Sequence, residues 1–258
     1  MEFCVLQSCS DGNCTCIRTG EGAFLVDDGL PLRHLKERLS HIGLTLDDIQ
    51  GVVITHDHGD HCDGLKPLLN KRPDLQLYAN EGTSTAVDLR LGVKGSQWNI
   101  IDTDTPFELC GLEVSAFRVE HDAADPVAYT FSYDGGKLGI ATDIGTVTPV
   151  VKRHLVGCTA LVIEANYDEE LLMRSERWQM LKRRVSGRHG HLSNSQAYEL
   201  LREVASPSLR TVLPGHISQD CNLVELAIGT IRDALRAVNV EAEVIPTYHD
   251  RESAILQW

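Results

Sequence analysis

The segment His56-Asp57-His58-Gly59-Asp60-His61 gathers three imidazoles and two carboxylates into six residues. Burying so many ionisable groups without partners would be severely destabilising, so the cluster calls for a ligand that satisfies them together. Histidines two residues apart on extended backbone can point to the same side, while Asp60 and His61, one turn into a starting helix, can face a second point a few ångströms away. The spacing suits two ions better than one. Neutral imidazole and carboxylate form a borderline-hard donor set, which points to two divalent cations, Zn²⁺ first, with Mn²⁺ and Fe²⁺ compatible with the same donors.

Four residues cannot saturate two metals, so further His and Asp are required downstream. His121 follows a strand expected over residues 112–119, Asp143 follows one over 138–141, and His216 follows one over 211–213. Each alone would be an ordinary surface or capping residue. Together, after so dense a cluster, they complete a metal-ligand set.

The elements that must position these groups are legible as short apolar runs. Residues 3–6, 14–18 and 23–26 read as strands separated by the turn-rich 8–13 and by 20–22, and a one-sided surface helix fits 32–39. The β-branched run 51–54 is a buried strand that feeds directly into the histidine cluster. Further strands are expected over 75–78, 127–131 and 160–163, with Asp134-Gly135-Gly136 as a hairpin turn; 196–204 and 223–238 have helical spacing. Strands and helices mix in both halves, which implies a sheet-on-sheet core with helices outside, and 258 residues without a linker or low-complexity segment are expected to form one domain, 1–258.

A hydrophobic fraction of 42% and a charged fraction of 24% are those of a globular protein, and no apolar run has the length of a membrane span. The N-terminal residues lack a basic start followed by a long apolar stretch, so a cytoplasmic location is expected. The eight cysteines are scattered through a chain too large to need disulfides and are expected to be reduced, with Cys62 a packing residue. The Cys14-x-Cys16 pair has no partner pair at finger-like spacing and reads as buried strand residues. A formal charge of −13 argues against a general polyanion binder. Two divalent cations would return about four positive charges to the reacting centre. Lys182, Arg183, Arg184 and Arg188 form a basic group that offers a landing surface or, equally, a solvated helix end.

The pattern His-x-His-x-Asp-His followed by a distant His, an Asp and a final His resembles the metallo-β-lactamase superfamily, over nearly the whole chain. The resemblance implies the four-layer αββα fold, two mixed sheets face to face with helices outside. It also implies that His56, His58 and His121 hold one metal, Asp60, His61 and His216 the other, and Asp143 bridges them. Several further stretches look like the YycJ/WalJ group of this fold, associated with nuclease activity: 5–13, His121 to Pro126, Thr142-Asp-Ile-Gly145, Glu164-Ala-Asn166, Gly190-His-Leu-Ser-Asn194 and Gly215-His-Ile-Ser218. Cys9, Tyr167 and Cys221 depart from that group, which more often has Gly, His and Asn there. Glu164 and His191 are similar to a pair in tRNA 3′-processing nucleases, where the Glu orients a His that protonates the leaving oxygen. Ser193, Asn194 and Asn166, within the shared stretches, are expected to bind substrate.

The implied reaction is phosphodiester hydrolysis by metal-activated water, with Asp60 orienting the water and His191 donating a proton. Nucleic acid is the expected substrate, DNA before RNA, by exonuclease action. Two rivals keep the fold: a phosphodiesterase for small cyclic phosphates, which the negative charge favours, and a thioester or lactam hydrolase, in which Glu164 and His191 would be idle. A non-enzymatic metal-stabilised binding protein fits poorly with a ligand set that leaves coordination positions open.

Overall fold

The computed structural model describes residues 1–92 and 97–258. The chain opens as an antiparallel meander, β1 (Glu2–Cys9), β2 (Gly12–Thr19) and β3 (Gly22–Val26). Helix α1 (Leu32–His41) leads to β4 (Ile49–Val53), the one-turn α2 (Gly59–Cys62), α3 (Leu65–Leu69), β5 (Gln76–Ala79), α4 (Glu81–Leu91) and β6 (Trp98–Ile100). A helix between strands lets each return in the same direction, so β3 to β6 pair in parallel.

The second half repeats this plan. Strands β7 (Phe107–Leu109), β8 (Leu112–Arg118), β9 (Val127–Tyr133) and β10 (Gly136–Ala141) are antiparallel. They are followed by α5 (Pro149–Leu155), β11 (Ala160–Glu164), α6 (Glu169–Arg174), α7 (Gln179–Val185), α8 (Asn194–Val204), β12 (Thr211–Gly215), α9 (Val224–Ala237) and β13 (Glu243–Val244), with β10 to β13 parallel. A last short strand, β14 (Leu256–Gln257), returns to the edge of the first sheet beside β1. The sheets run β14-β1-β2-β3-β4-β5-β6 and β13-β12-β11-β10-β9-β8-β7.

Alternation along the strands sorts the core into layers. In β11, Ala160 and Val162 join Phe24, Val53, Tyr129 and Phe131 between the sheets, while Leu161 and Ile163 pack beneath α5, α8 and α9. Leu25 and Val52 turn instead to α1, α3 and α4 on the far side of the first sheet. The result is the αββα arrangement that the resemblance implied.

Local chemistry explains the joints. The β9–β10 hairpin turns at Asp134 and Gly135, both at positive φ (47° and 79°), the conformation a two-residue turn needs to match strand twist. Thr148 caps α5 with Pro149 behind it, and Ser193 caps α8 in a capping box with Gln196. The turn expected over residues 8–13 is shorter, because β1 and β2 stay paired to Cys9↔Gly12 across a bulge between Val5 and Gln7. Helix α4 is absent from the sequence reading since its buried stripe, Thr83, Val87 and Leu91 with Ser84, is half polar and gives no apolar period. Among the described residues, no helix is long and apolar enough to cross a membrane.

Candidate metal centre

Each candidate ligand lies just past the C-terminal end of a strand. Strand β4 ends at Val53, and its chain runs through Thr55 and His56 to His58 before α2 places Asp60 and His61. His121 follows β8, Asp143 follows β10 and His216 follows β12. The second sheet holds the first loop in place, since the Tyr129 hydroxyl donates to Ile54 O (2.8 Å) and Val127 N to Thr55 O (3.0 Å).

The side chains converge. His56, His58 and His121 offer donor atoms that lie within 4.8 Å of one another, as do those of Asp60, His61 and His216, and those of His56, His61 and Asp143. Each imidazole has its outward nitrogen engaged. His56 Nδ1 donates to Thr55 Oγ1 (2.9 Å), whose own hydroxyl donates to Asp27; His61 Nδ1 donates to Asp27 Oδ2 (2.8 Å). His121 Nδ1 donates to Gly190 O (2.9 Å), His58 Nε2 to Asp122 O (3.2 Å) and His216 Nδ1 to Glu164 Oε1 (3.1 Å).

These bonds fix the tautomers. Carbonyl and carboxylate oxygens only accept, so in each neutral ring, the form that binds a metal, the inward nitrogen carries the lone pair. His58 Nδ1 and His121 Nε2 then face each other at 3.2 Å, lone pair against lone pair. Donors around a tetrahedral ion with bonds of roughly 2.0–2.1 Å sit about 3.3 Å apart, so a cation between them relieves the repulsion. His56 Nε2 is buried without a partner, and Asp143 Oδ2, 3.2 Å from His61 Nε2, lacks hydrogen-bond geometry. The residues fit divalent metal ions, and the outer bonds orient them as metal-bound histidines are usually oriented.

The carboxylates at the same place favour positive charge. Burial opposes charge on His61 and His216, yet Asp143 leads carboxylates that raise both well above the ordinary imidazole value. Burial likewise disfavours the Asp143 carboxylate, but His216 and His61 hold it well below the usual range. His56, buried among imidazoles, is lowered. This is a pocket built around positive charge. Three non-glycine residues at its rim, Asp27, Asp143 and His216, have positive φ (61°, 58°, 51°), strain of the kind that clusters at functional sites.

Beside the ligands, Glu164 is fully buried at the end of β11 and ties three loops together. Its Oε2 accepts from Ile144 N and Leu192 N (2.9 Å each), and its Oε1 from His191 Nδ1 (2.8 Å) as well as His216. Burial would raise its pKa, and the neighbouring His191 brings it below the usual value. His191 keeps Nε2 free and lines a cleft of about 460 Å³ with His58, Asp60, Asp143 and His216. It does not cap α8, a task Ser193 performs.

The expected substrate-binding trio lies behind the candidate ligands. Asn166 donates to His216 O (2.7 Å), Ser193 Oγ donates to Glu169 (2.6 Å), and Asn194 exchanges hydrogen bonds with Asn222. All three are buried, and these bonds brace the loops that carry the candidate ligands. Lys182 is also not a landing residue: it is buried, its ammonium donating to Met173 O and Ser175 O (2.7 Å each). Sequence reasoning passed over Asp27, Thr55 and Asn13, whose Nδ2 lies 3.2 Å from Asp60 Oδ2. The signal for Asp27 was present, a carboxylate at the end of the strand expected over 23–26. The eight cysteines are free and all but Cys110 are buried. Cys62 is pushed by burial up to about 12, which makes it a packing residue and not a reactive thiolate.

A layered fold with a His/Asp centre at the strand ends defines a class, and residues 23–217 match the profile of the Beta-lactamase superfamily domain. The chain belongs to that superfamily, as a hydrolase with the metallo-β-lactamase fold. It is 34% identical over 236 residues to exodeoxyribonuclease YycJ of Bacillus anthracis, covering 91% of this chain and 89% of that protein. It is 30% identical over 263 aligned positions to exodeoxyribonuclease WalJ of Streptococcus pneumoniae, covering 99% and 97%. Among solved structures, the metallo-beta-lactamase fold protein YhfI from Bacillus subtilis superposes with a TM-score of 0.73 at 12% identity, over 99% of this chain and 98% of that one.

Proposed function

We propose that this chain is a dinuclear metal-dependent phosphodiester hydrolase, an exonuclease with DNA as its substrate, working in the cytoplasm, where its free thiols stay reduced. His56, His58 and His121 would hold one divalent ion and Asp60, His61 and His216 the other, with Asp143 between them. Bound there, two such ions supply a water of lowered pKa and neutralise charge on the phosphate, and Zn²⁺ or Mn²⁺ suits the donors. Asp60, on the cleft wall, orients the attacking water.

One observation carries the choice of phosphodiester chemistry: His191, braced by Glu164 at 2.8 Å, presents a free Nε2 to the cleft. The departing sugar oxygen is a poor leaving group, and an imidazolium aimed at it supplies the proton it needs. Glu164 holds the ring upright through that bond. The names of the two relatives that span nearly the whole chain point the same way.

The test is to determine the metal content of protein purified without added ions, then assay labelled single-stranded and duplex DNA, RNA and a cyclic phosphate with Zn²⁺ and with Mn²⁺. Nucleotide release from DNA ends is expected, and none from any nucleic acid would end the nuclease reading. His191→Ala should lower kcat about a hundredfold or more with metal content unchanged. Unchanged turnover would favour a thioester or lactam hydrolase.

A further inference from the structure

Resting on the nuclease reading, we propose that α7 and the turn before it form a strand-gripping arm: Arg177 and Arg184 hold phosphates flanking the scissile one, and Trp178 stacks on a base of an unpaired strand entering the cleft. Arg177, Leu181, Arg184 and Val185 line the cleft together with Asp60 and His191; Leu181, Arg184 and Val185 share one face of α7, and Arg177 sits in the segment just before it. Arg184 reaches Asp122 (2.6 Å), next to the ligand His121, and Arg177 reaches Asp220 (2.9 Å), four residues beyond His216. The arm thus crosses the cleft from one ligand loop to the other.

Each ion pair has one exposed and one more sheltered partner, Asp220 at 70% with Arg177 at 22% and Arg184 at 59% with Asp122 at 32%. Exposed pairs hold their partners weakly, while arginine forms bidentate, charge-assisted bonds to phosphate. An incoming phosphodiester can therefore displace either aspartate at small cost. The arm itself is anchored. Val185 packs with Tyr167, Leu172 and Cys221, and His191 N donates to Val185 O (2.9 Å). A phosphate seated on Arg184 is by this route held in register with the imidazole that serves the leaving group.

The occupant follows from charge and exposure. Residues 169–188 carry six basic against three acidic side chains, in a chain of net charge −13. Met173, Trp178 and Met180, between 64% and 65% exposed, are three of the nine large apolar residues most open to solvent among the described residues. An exposed indole next to an arginine that lines the cleft is the combination by which proteins grip single-stranded nucleic acid, base on ring and phosphate on guanidinium. A paired duplex hides the base faces that Trp178 would use.

The test is binding, which can be read whether or not the strand is cut. Zinc-loaded protein is mixed with an oligothymidylate in a stopped-flow fluorimeter, so that tryptophan quenching is recorded within the first turnover. Quenching is expected in the native chain, and its loss in Trp178→Phe, since Trp98 and Trp258 are half-buried elsewhere. Arg177→Ala and Arg184→Ala should each weaken binding about tenfold and raise KM more than they lower kcat, whereas Arg33→Ala, exposed on α1, serves as the charge-matched control and should change neither. Equal quenching by a blunt duplex, quenching retained in Trp178→Phe, or both arginine variants binding within twofold of the native chain would overturn the arm. If the strand binds as described but no nucleotide is released, the nuclease reading fails and the arm stands.

Discussion

At Asp27 one carboxylate decides which nitrogen of His61 faces the metal centre. Its Oδ1 accepts from Thr55 N (2.8 Å) and its Oδ2 from His61 Nδ1 (2.8 Å), leaving His61 Nε2 as a lone-pair donor. In Asp27→Asn the amide oxygen keeps Thr55, so the amide N–H group meets His61 Nδ1 and drives the proton to Nε2, the wrong tautomer for a ligand. Zinc affinity, measured by competition with a chromophoric chelator, should fall tenfold to a hundredfold. The adjacent Asp28 behaves differently. Burial pushes it up to about 8, against roughly 3.9 for an unfolded Asp, so the folded state binds its proton more tightly. Its contribution favours folding below about pH 4 and is lost steadily as pH rises through about 8. Asp28→Asn has no proton to lose, and relative to the native chain it should gain about 2–3 kcal/mol between pH 5.5 and 7.5. Urea unfolding in the presence of chelator checks this; parallel stability profiles would contradict it.

Strands and turns convert these residue preferences into a centre, and Gly29 is where the conversion has least tolerance. A Cβ there would run into the carbonyl of Asp60, a backbone atom that cannot rotate away, so Gly29→Ala must displace the turn that carries Asp60 and His61. We expect it to lower zinc stoichiometry and to cost about 2 kcal/mol or more in stability, checked by metal analysis and thermal unfolding. The same elements explain what could be read in advance. Strand ends were legible because apolar runs mark strands, and a candidate ligand at a strand end needs only that the strand exists; His56 to His61, His121, Asp143 and His216 all follow this rule. Direction was not legible. Ser193, Asn194 and Asn166 also follow strands or turns, but whether a polar side chain faces the cleft or braces a loop depends on partners far along the chain, such as Asn222 and Glu169. The basic group is one cluster in sequence, yet helical spacing sends Lys182 into the protein and Arg184 into the cleft. Tyr167 and Cys221, two departures from the resembled group, turn out to pack together beneath the arm.

On the scale of the whole molecule, the proposed nuclease has a body of net charge −13 that would have to admit a polyanion, and only a local reversal of sign permits it. If Arg177 and Arg184 make the phosphate contacts, few condensed counterions are released on binding. For single strands the slope of log affinity against log salt is about −0.7 per phosphate neutralised, so two contacts give about −1.4. Raising monovalent salt from about 50 to about 200 mM should then weaken oligonucleotide binding only about sevenfold, against several hundredfold for a basic groove touching six phosphates. Repulsion from the acidic remainder of the surface is itself screened by salt, which makes the dependence shallower still. The double variant Arg177→Ala/Arg184→Ala should flatten the slope toward zero, because the contacts that release counterions are gone. A slope steeper than about −3, measured by fluorescence titration over that range, would mean that the strand follows a longer basic track than the arm provides.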